Sequence, residues 1–253
     1  MGHRCYNQEG ELIPDATIRD MRLHGWYPTV TSIDSMLSNP FLDQWKRKGA
    51  VDTALNLTDE ERSGDRREVV DHVLDLNRQV SIEAADRGTE IHQGAEAILK
   101  GQPWNQLDPQ LQAINEYVQA HILEVHYVER TLINTEMGYA GTCDLKADHE
   151  EFGTCLLDWK SQNCKTLKSG KPRFSFYPAW ELQGSAYREI EGRELPFVSV
   201  IIDKNSKSIK HKRWADESVD KAFEAFKCLH HLWCWQNNYF PAGTSNVPST
   251  LVA

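Results

Sequence analysis

The sequence predicts an α/β (α+β) fold in which a central mixed β-sheet is flanked by helices and preceded by a mainly helical part. Two observations lead to this prediction. Apolar residues recur every three or four positions in 109–126, which is typical of an amphipathic helix. Further along, three short segments rich in strand-forming residues alternate with glycine-containing turns, and a helix, two strands and a last helix follow them. This order favours one sheet covered by helices.

The first half of the chain is predicted to be mainly helical. Residues 1–25 are polar and irregular, whereas 28–45 begin extended and continue with apolar residues at near-helical spacing. Residues 50–67 are rich in charge, so we expect a solvated connection there. Helical composition then extends over 69–99, with breaks expected at both of its glycines.

The second half is predicted to carry the sheet. The expected elements are strands at 127–135, 141–148 and 154–160, a loop at 161–173, a helix at 177–191, strands at 197–203 and 208–214, and a helix at 215–235. We therefore expect one domain over 1–253, made of a mainly helical part (1–126), a sheet-bearing core (127–214), a C-terminal helix (215–240) and a loose tail (241–253).

Composition limits the classes of function. The 253 residues include 28 Lys and Arg and 37 Asp and Glu, so the net charge is −9. This charge argues against a protein that coats nucleic acid nonspecifically, because phosphate binding needs a basic surface, but it permits an enzyme with one basic groove. No apolar run approaches the roughly 20 residues that span a bilayer, and the N-terminus lacks the apolar core of a signal peptide. We expect a soluble, cytoplasmic protein without a membrane partner, whose six cysteines are free thiols.

The most informative residues are two carboxylates and a lysine on neighbouring predicted strands. Asp158 and Lys160 are two residues apart, so in a strand their side chains share a face. The predicted hairpin brings Asp144 onto the adjacent strand. Carboxylates that converge beside an ammonium group are rarely buried without a partner or a metal ion, and oxygen ligands of this kind suit Mg²⁺ or Mn²⁺. An exposed strand face with a simple Asp–Lys pair is the alternative reading.

Five segments in order resemble the PD-(D/E)XK nuclease superfamily, and within it the RecB-like branch of phage and mitochondrial genome-maintenance-type exonucleases. Each segment is weakly specific alone, but the ordered set spans most of the chain, from 28 to 187. The segments are Pro28-Thr-Val-Thr31 with Ile33 and Trp45, Arg87-Gly-Thr89-Glu-Ile-His92 continuing to Glu96, Gly141-Thr-Cys-Asp144, Asp158-Trp159-Lys160, and Gln183-Gly-Ser-Ala-Tyr187.

The resemblance implies a restriction-endonuclease-like core and metal-dependent hydrolysis of phosphodiester bonds in DNA. The metal ligands that it implies for Mg²⁺ or Mn²⁺ are His92, Asp144, Asp158 and the backbone carbonyl of Trp159. The catalytic residues that it implies are Asp144, Asp158, Lys160, Gln183 and Tyr187. Lys160 would orient the attacking water or steady the transition state, and Gln183 would place Lys160 or the phosphate. Glu129 and Glu96 are accessory candidates.

DNA contacts are expected from a basic loop and from the family motifs. Residues 160–173 contain no acidic residue, so they can contact phosphates, although a solvated mobile loop is an equal alternative. Phe174, Phe176 and Tyr177 follow this loop and suit stacking on single-stranded bases, or they pack the start of the next helix. The DNA-binding candidates are Arg87, Thr89, Ser161, Lys165, Lys168, Lys171, Arg173 and Tyr187.

The resemblance favours a DNA exonuclease of phage type that acts on DNA ends or single strands in recombination, repair or replication. A flap or structure-specific endonuclease on the same core, and a non-catalytic DNA-binding or assembly subunit, are the alternatives. No iron–sulfur cluster is expected because there is no CxxC pair, and no nucleotide cofactor because no Walker A sequence occurs. Expected partners are DNA and a recombinase or single-strand-binding protein, in the cytoplasm of a bacterium or a phage-infected host.

Overall fold

A computed structural model of the chain describes residues 2–37 and 40–241. Most of the predicted tail, from residue 242 onward, and the side chain of Trp45 lie outside the described residues. The chain divides into two compact units, one formed by 1–37 with 94–253 and the other by 38–93. No helix in the described part of the chain is long and apolar enough to cross a membrane.

The described residues form a run of helices in the first half of the chain and most of the strands in the second half. In chain order the elements are β1 (His3–Tyr6), β2 (Leu12–Ala16), α1 (Ile18–His24), β3 (Tyr27–Pro28), α2 (Val30–Asp34), α3 (Pro40–Asn56), α4 (Asp59–Arg62), α5 (Arg66–Leu99), α6 (Pro109–His121), β4 (Ile122–Asn134), β5 (Tyr139–His149), β6 (Gly153–Gln162), β7 (Lys165–Thr166), β8 (Pro172–Arg173), α7 (Pro178–Glu191), β9 (Phe197–Asp203), β10 (Ile209–Arg213) and α8 (Asp216–Gln236).

A five-stranded sheet with the order β10-β9-β6-β5-β4 forms the centre of the larger unit. β6 and β9 are parallel, and the other neighbours are antiparallel, so the sheet is mixed. Helices α2 and α7 pack on one side of the strands, α8 packs on α2 and α7, and α6 packs against β4, β9 and β10. The predicted fold class, a mixed α/β protein with a central mixed sheet flanked by helices, is therefore confirmed.

The first 25 residues are more regular than predicted. β1 pairs with both β2 and β3, and together they form a small three-stranded sheet. Thr17 then begins α1 through a capping box with Asp20, and Gly25 ends it with a left-handed φ of 68°. Cys5 and Met21, both fully buried in the main core, explain why this polar segment is ordered.

Two expectations for the stretch from 50 to 99 differ from the structure. The charge-rich residues 50–67 are mostly exposed, as expected of a solvated segment, but they are largely helical, in α3, α4 and the start of α5. The breaks predicted at Gly88 and Gly94 do not occur, since α5 is continuous, and a glycine costs a helix only about 1 kcal/mol. Gly94 is also needed for packing, because a Cβ atom there would lie 2.2 Å from the Leu111 side chain.

The helix predicted over 109–126 ends at His121. The residues after it form β4, which pairs with β5 from Ile122 opposite His149 onward. Their spacing fits a helix, but the cross-strand pairing over this stretch stabilises them as a strand. The loop predicted at 161–173 likewise contains the short hairpin β7–β8.

A hydrogen-bonded ring of side chains joins α6 to the sheet. The Glu151 N–H donates to His149 Nδ1 (3.1 Å), which leaves His149 Nε2 to donate to the Tyr117 hydroxyl (3.2 Å). That hydroxyl donates to His211 Nδ1 (3.1 Å), and His211 Nε2 lies 3.4 Å from the Glu151 carboxylate. Both imidazoles are neutral in this arrangement, in agreement with burial, which lowers the pKa of each.

The smaller unit is helical, and it consists of α3, α4 and the part of α5 before residue 94. Thr58 begins α4 through a capping box with Glu61, whose carboxylate also lies 3.6 Å from His72 Nε2. The amide side chain of Asn77 occupies the space where a Cβ atom at Gly49 would lie, 2.6 Å away, so α3 and α5 approach closely at this point.

Candidate active site

Asp158 and Lys160 of β6 lie on one face of the sheet, as predicted, and Trp159 between them lies on the other. The Lys160 ammonium is 2.9 Å from Asp158 Oδ1 and 2.7 Å from Oδ2, so it contacts both carboxylate oxygens. Only 3% of the Asp158 side chain is exposed. Burial raises the pKa of Asp158, the Lys160 charge opposes the rise, and the Asp144 charge adds to it.

Asp144 of β5 is brought beside Asp158 by the register of the two strands. Leu145 is opposite Leu157 in these antiparallel strands. One position further along, Asp144 of β5 therefore lies beside Asp158 of β6. Asp144 Oδ2 also accepts a 2.8 Å hydrogen bond from the Trp159 N–H. This bond anchors the Asp144 carboxylate against the strand that carries the other acid.

Glu129 of β4 adds a third carboxylate to this group. Its φ of 51° lies in the left-handed region, which is uncommon for any residue with a side chain and indicates a conformation that the surroundings impose. Burial raises the pKa of Glu129 to about 8, and the charges of Asp144 and Glu96 contribute to the rise, whereas Lys100 opposes it. Lys100 itself is ion-paired with Glu96 at 2.5 Å.

This donor set fits a hard divalent cation. Burial raises the pKa of Glu129 and of Asp158, and the negative charge of Asp144 adds to both rises. A divalent cation would compensate the repulsion, and carboxylate oxygens are the ligands that Mg²⁺ and Mn²⁺ prefer. Asp158 Oδ2 is buried and, despite the nearby ammonium, has no well-directed hydrogen bond in the described part of the chain.

Helix α7 supplies the residues that hold Lys160 from the other side. Gln183 Oε1 accepts a 2.9 Å hydrogen bond from Lys160, and Gln183 Nε2 donates to the Tyr187 hydroxyl at 3.1 Å. The two α7 residues are one turn apart, as their spacing predicted. Tyr187 is 2% exposed, and its ring lies against Gly141, where a Cβ atom would be 2.7 Å from Tyr187 Cε1. The glycine of the predicted strand motif therefore makes room for this tyrosine.

Comparisons with known proteins find weak similarity to solved structures. No family model and no curated protein matches the chain. A solved structure of a predicted exonuclease from Eubacterium rectale is similar with a TM-score of 0.35 and 16% identity, over 51% of this chain and 54% of that one. A protein designated SSO0001 is similar with a TM-score of 0.33 and 14% identity, over 76% of this chain and 88% of that one. The chain thus matches about half the length of the first.

One acidic residue near the site was missed by the sequence reasoning. Asp34 ends α2, and its Oδ1 atom is buried without a hydrogen-bond partner in the described residues. Burial raises the pKa of Asp34 to about 8, and the charge of Lys160 opposes this rise. In the sequence, Asp34 is marked only by its position directly after Ile33 of the first motif segment.

The helical motif is divided between the two units. Arg87, Thr89 and His92 lie on α5 within the unit formed by 38–93, whereas Glu96, one turn after His92, belongs to the larger unit. Arg87 forms a 2.9 Å ion pair with Glu90. The metal-binding role of His92 and the DNA-binding roles of Arg87 and Thr89 therefore stay predictions.

The predicted basic loop lies directly after β6. Ser161 is still within β6, and the four basic residues lie in or around the β7–β8 hairpin. No carboxylate in the described part of the chain lies within ion-pair distance of these four, which are Lys165, Lys168, Lys171 and Arg173. Their charges are compatible with binding an anionic ligand, and their DNA-binding role stays a prediction.

Proposed function

We propose that the chain is a Mg²⁺- or Mn²⁺-dependent deoxyribonuclease, and specifically an exonuclease that acts on DNA ends or single strands. The observation that carries the proposal is the position of Lys160, whose ammonium contacts the buried Asp158 carboxylate and the Gln183 amide beside Asp144. A cation-binding pair of acids next to a fixed ammonium suits reactions in which negative charge develops on a phosphate.

Asp144, Asp158 and the Trp159 carbonyl would hold the cation, together with His92 and with Glu129 as an accessory group. The bound cation would polarise the scissile phosphate and lower the pKa of a bound water. Asp144 is kept in place by the Trp159 N–H, and Asp158 by its contact with Lys160. These contacts orient both carboxylates before substrate arrives, so little reorganisation is needed on binding.

Lys160 would steady the charge that develops on the phosphate or orient the attacking water. The Lys160 ammonium has three N–H donors, and it donates to Asp158 and to Gln183. The third N–H can donate to a phosphate or a water. Gln183 is itself oriented by Tyr187, so α7 positions Lys160. Lys165, Lys168, Lys171 and Arg173 would contact the DNA backbone beyond the site, with Ser161, Arg87 and Thr89 as further contacts. Tyr187 was also expected to contact DNA, but it is buried in the core, so its role is to orient Gln183.

Hydrolysis of labelled single-stranded DNA, linear and covalently closed, tests the proposal. We expect the wild type with Mg²⁺ or Mn²⁺ to release nucleotides from the linear strand and to leave the circle intact. Asp158→Asn and Lys160→Ala should each lower the rate at least about 100-fold, as loss of one electrostatic group typically does. Asp148→Asn on the same sheet is the matched control, since Asp148 is bonded to His126 and Thr154 instead.

The other outcomes identify the alternatives. Cleavage of the circle would indicate an endonuclease on the same core. DNA binding without metal-dependent hydrolysis would indicate a non-catalytic subunit. Rates near wild type for Asp158→Asn or Lys160→Ala, with unchanged thermal unfolding, would contradict the assigned site.

A further inference from the structure

We infer that the catalytic face of the sheet continues into a track for single-stranded nucleic acid, formed by partly exposed aromatic rings and two lysines of β10. The inference deepens the proposed function and rests on it, because it names the form of DNA that the site would receive. The evidence is the strand register, a series of ring contacts and the charge of β10.

The register places the β10 lysines on the same face as the catalytic residues. Lys160 is opposite Ile201 of β9, and Ile201 is opposite Lys210. Residues directly opposite each other in neighbouring strands point to the same side of a sheet, so Lys210 lies on the face of Lys160. Two strand spacings separate them, about 10 Å.

A second set of opposite residues places Lys212 on the same face as Asp158. Asp158 is opposite Ser199 of β9, and Ser199 is opposite Lys212. Ser199 Oγ accepts a 2.9 Å hydrogen bond from Trp214 Nε1, and the Lys212 ammonium lies 3.5 Å from the centre of the same indole ring. His211, between the two lysines, points to the opposite face, where it contacts Tyr117.

Aromatic rings connect the catalytic lysine to β10. The Lys160 ammonium is 6.0 Å from the Trp180 ring, which lies 5.0 Å from Tyr177 and 6.3 Å from Phe176. The Lys212 ammonium is 5.7 Å from Phe176. Tyr177 is 47% exposed, and Phe176 and Trp180 are half-buried, so bases can reach ring surface along this path.

The charges along the track suit a polyanion. No carboxylate in residues 2–37 and 40–241 lies within ion-pair distance of Lys210 or Lys212, whereas the neighbouring Arg213 is paired with Asp216 at 2.8 Å. Residues 204–215 contain no acidic residue at all. Lysines on an edge strand also prevent sheet-to-sheet aggregation, but that role does not require aromatic rings between them and Lys160.

The combination favours a single strand over a duplex. Aromatic rings interleaved with lysines bind single strands, because unpaired bases expose their faces for stacking while the lysines contact the phosphates. In a duplex the base faces are already stacked on each other, so only the lysines would contribute. The track is thus expected to add more affinity for single-stranded DNA than for double-stranded DNA of the same length.

Equilibrium binding in EDTA tests the track without hydrolysis. The probes are a fluorescent 20-nucleotide strand and the duplex of the same sequence, and the variants are Tyr177→Ala and Lys210→Gln/Lys212→Gln. Tyr177→Ala should weaken single-strand binding about 5- to 150-fold and duplex binding by less than 2-fold, roughly the range for one stacked base. The double lysine variant should reduce the salt slope for the single strand by about 1.4.

The matched control is Lys221→Gln/Lys227→Gln, which removes two lysine charges from α8 instead. It should leave the salt slope within about 0.3 of the wild type. Unchanged single-strand binding in both track variants would overturn the inference. So would an equal loss for strand and duplex in Tyr177→Ala. Aggregation of the lysine variant with unchanged DNA binding would assign those lysines to edge protection.

Hydrolysis of bis(4-nitrophenyl) phosphate separates this inference from the proposed function. The small diester reaches the metal site but not the track, so both track variants should hydrolyse it at the wild-type rate. If the wild type hydrolyses the diester and the track variants bind single strands normally, the track is wrong and the nuclease assignment stands. If the wild type binds single strands through the track but hydrolyses nothing, the nuclease assignment is wrong.

Discussion

Gly141→Ala tests whether the packing of one core tyrosine controls the position of Lys160, the proposed catalytic lysine. A Cβ atom at 141 would lie 2.7 Å from Tyr187 Cε1, 3.1 Å from the Tyr187 hydroxyl and 3.1 Å from Val30 Cγ2. Ordinary contacts between carbon atoms are about 3.5–4.0 Å, so the Tyr187 ring must move by about 1 Å. Tyr187 is 2% exposed and surrounded by the main core, so the move disturbs its neighbours.

The expected effect has two parts. Overpacking of this kind typically costs about 1–3 kcal/mol, which lowers the melting temperature by roughly 2–12 °C in a chain of this size. The displaced hydroxyl also releases Gln183, which holds Lys160 at 2.9 Å. A misplacement of about 1 Å at a catalytic group costs about 100-fold in rate, so we expect kcat to fall by a factor of that order.

The assays are thermal unfolding and metal-dependent hydrolysis of linear single-stranded DNA. Gly64→Ala is the control, because a Cβ atom there meets its neighbours only at 3.5 Å or more and its φ is unstrained. Adding Tyr187→Leu to Gly141→Ala should recover part of the lost stability, and the coupling free energy measures the contact. A Gly141→Ala protein with the melting temperature and rate of the wild type would refute this reasoning.

Two further predictions concern stability. Burial lowers the pKa of His230 to about 4, below its usual 6.5, so the unfolded chain takes up this proton first and stability falls as the pH drops from about 6.5 towards 4. About 2.5 pH units at about 1.4 kcal/mol each make the full loss about 3.5 kcal/mol, of which about 2.5 kcal/mol falls between pH 7 and pH 4.5. Urea unfolding at these two pH values should show a drop in the free energy of unfolding that is about 2.5 kcal/mol smaller in His230→Gln than in the wild type, and equal drops in the two proteins would contradict the prediction. Tyr117→Phe should cost about 1–3 kcal/mol at pH 7, because it leaves a buried His149 nitrogen and a partly buried His211 nitrogen without their shared partner. An unchanged midpoint of denaturant unfolding in Tyr117→Phe would contradict the hydrogen-bonded arrangement of Tyr117, His149 and His211.

The sequence by itself determined the local geometry of the site. Alternation along a strand places Asp158 and Lys160 on one face and Trp159 on the other, and helical spacing places Gln183 and Tyr187 one turn apart. These relations depend only on backbone periodicity, so they follow from residue spacing. The central mixed sheet was predictable for the same reason, from the order of its strand-like and helical segments.

Only the tertiary structure decided which separate segments meet. The hairpin of β5 and β6 was predicted from the sequence, but the register that aligns Asp144 with Asp158 was not, and neither was the pairing across β9 that puts Lys210 on the face of Lys160. Asp34 lies close enough to Lys160 for the lysine charge to affect its pKa, although the two residues are 126 positions apart in the chain. Such contacts depend on strand register and helix packing, which the burial of the whole core selects and which no local pattern of residues encodes.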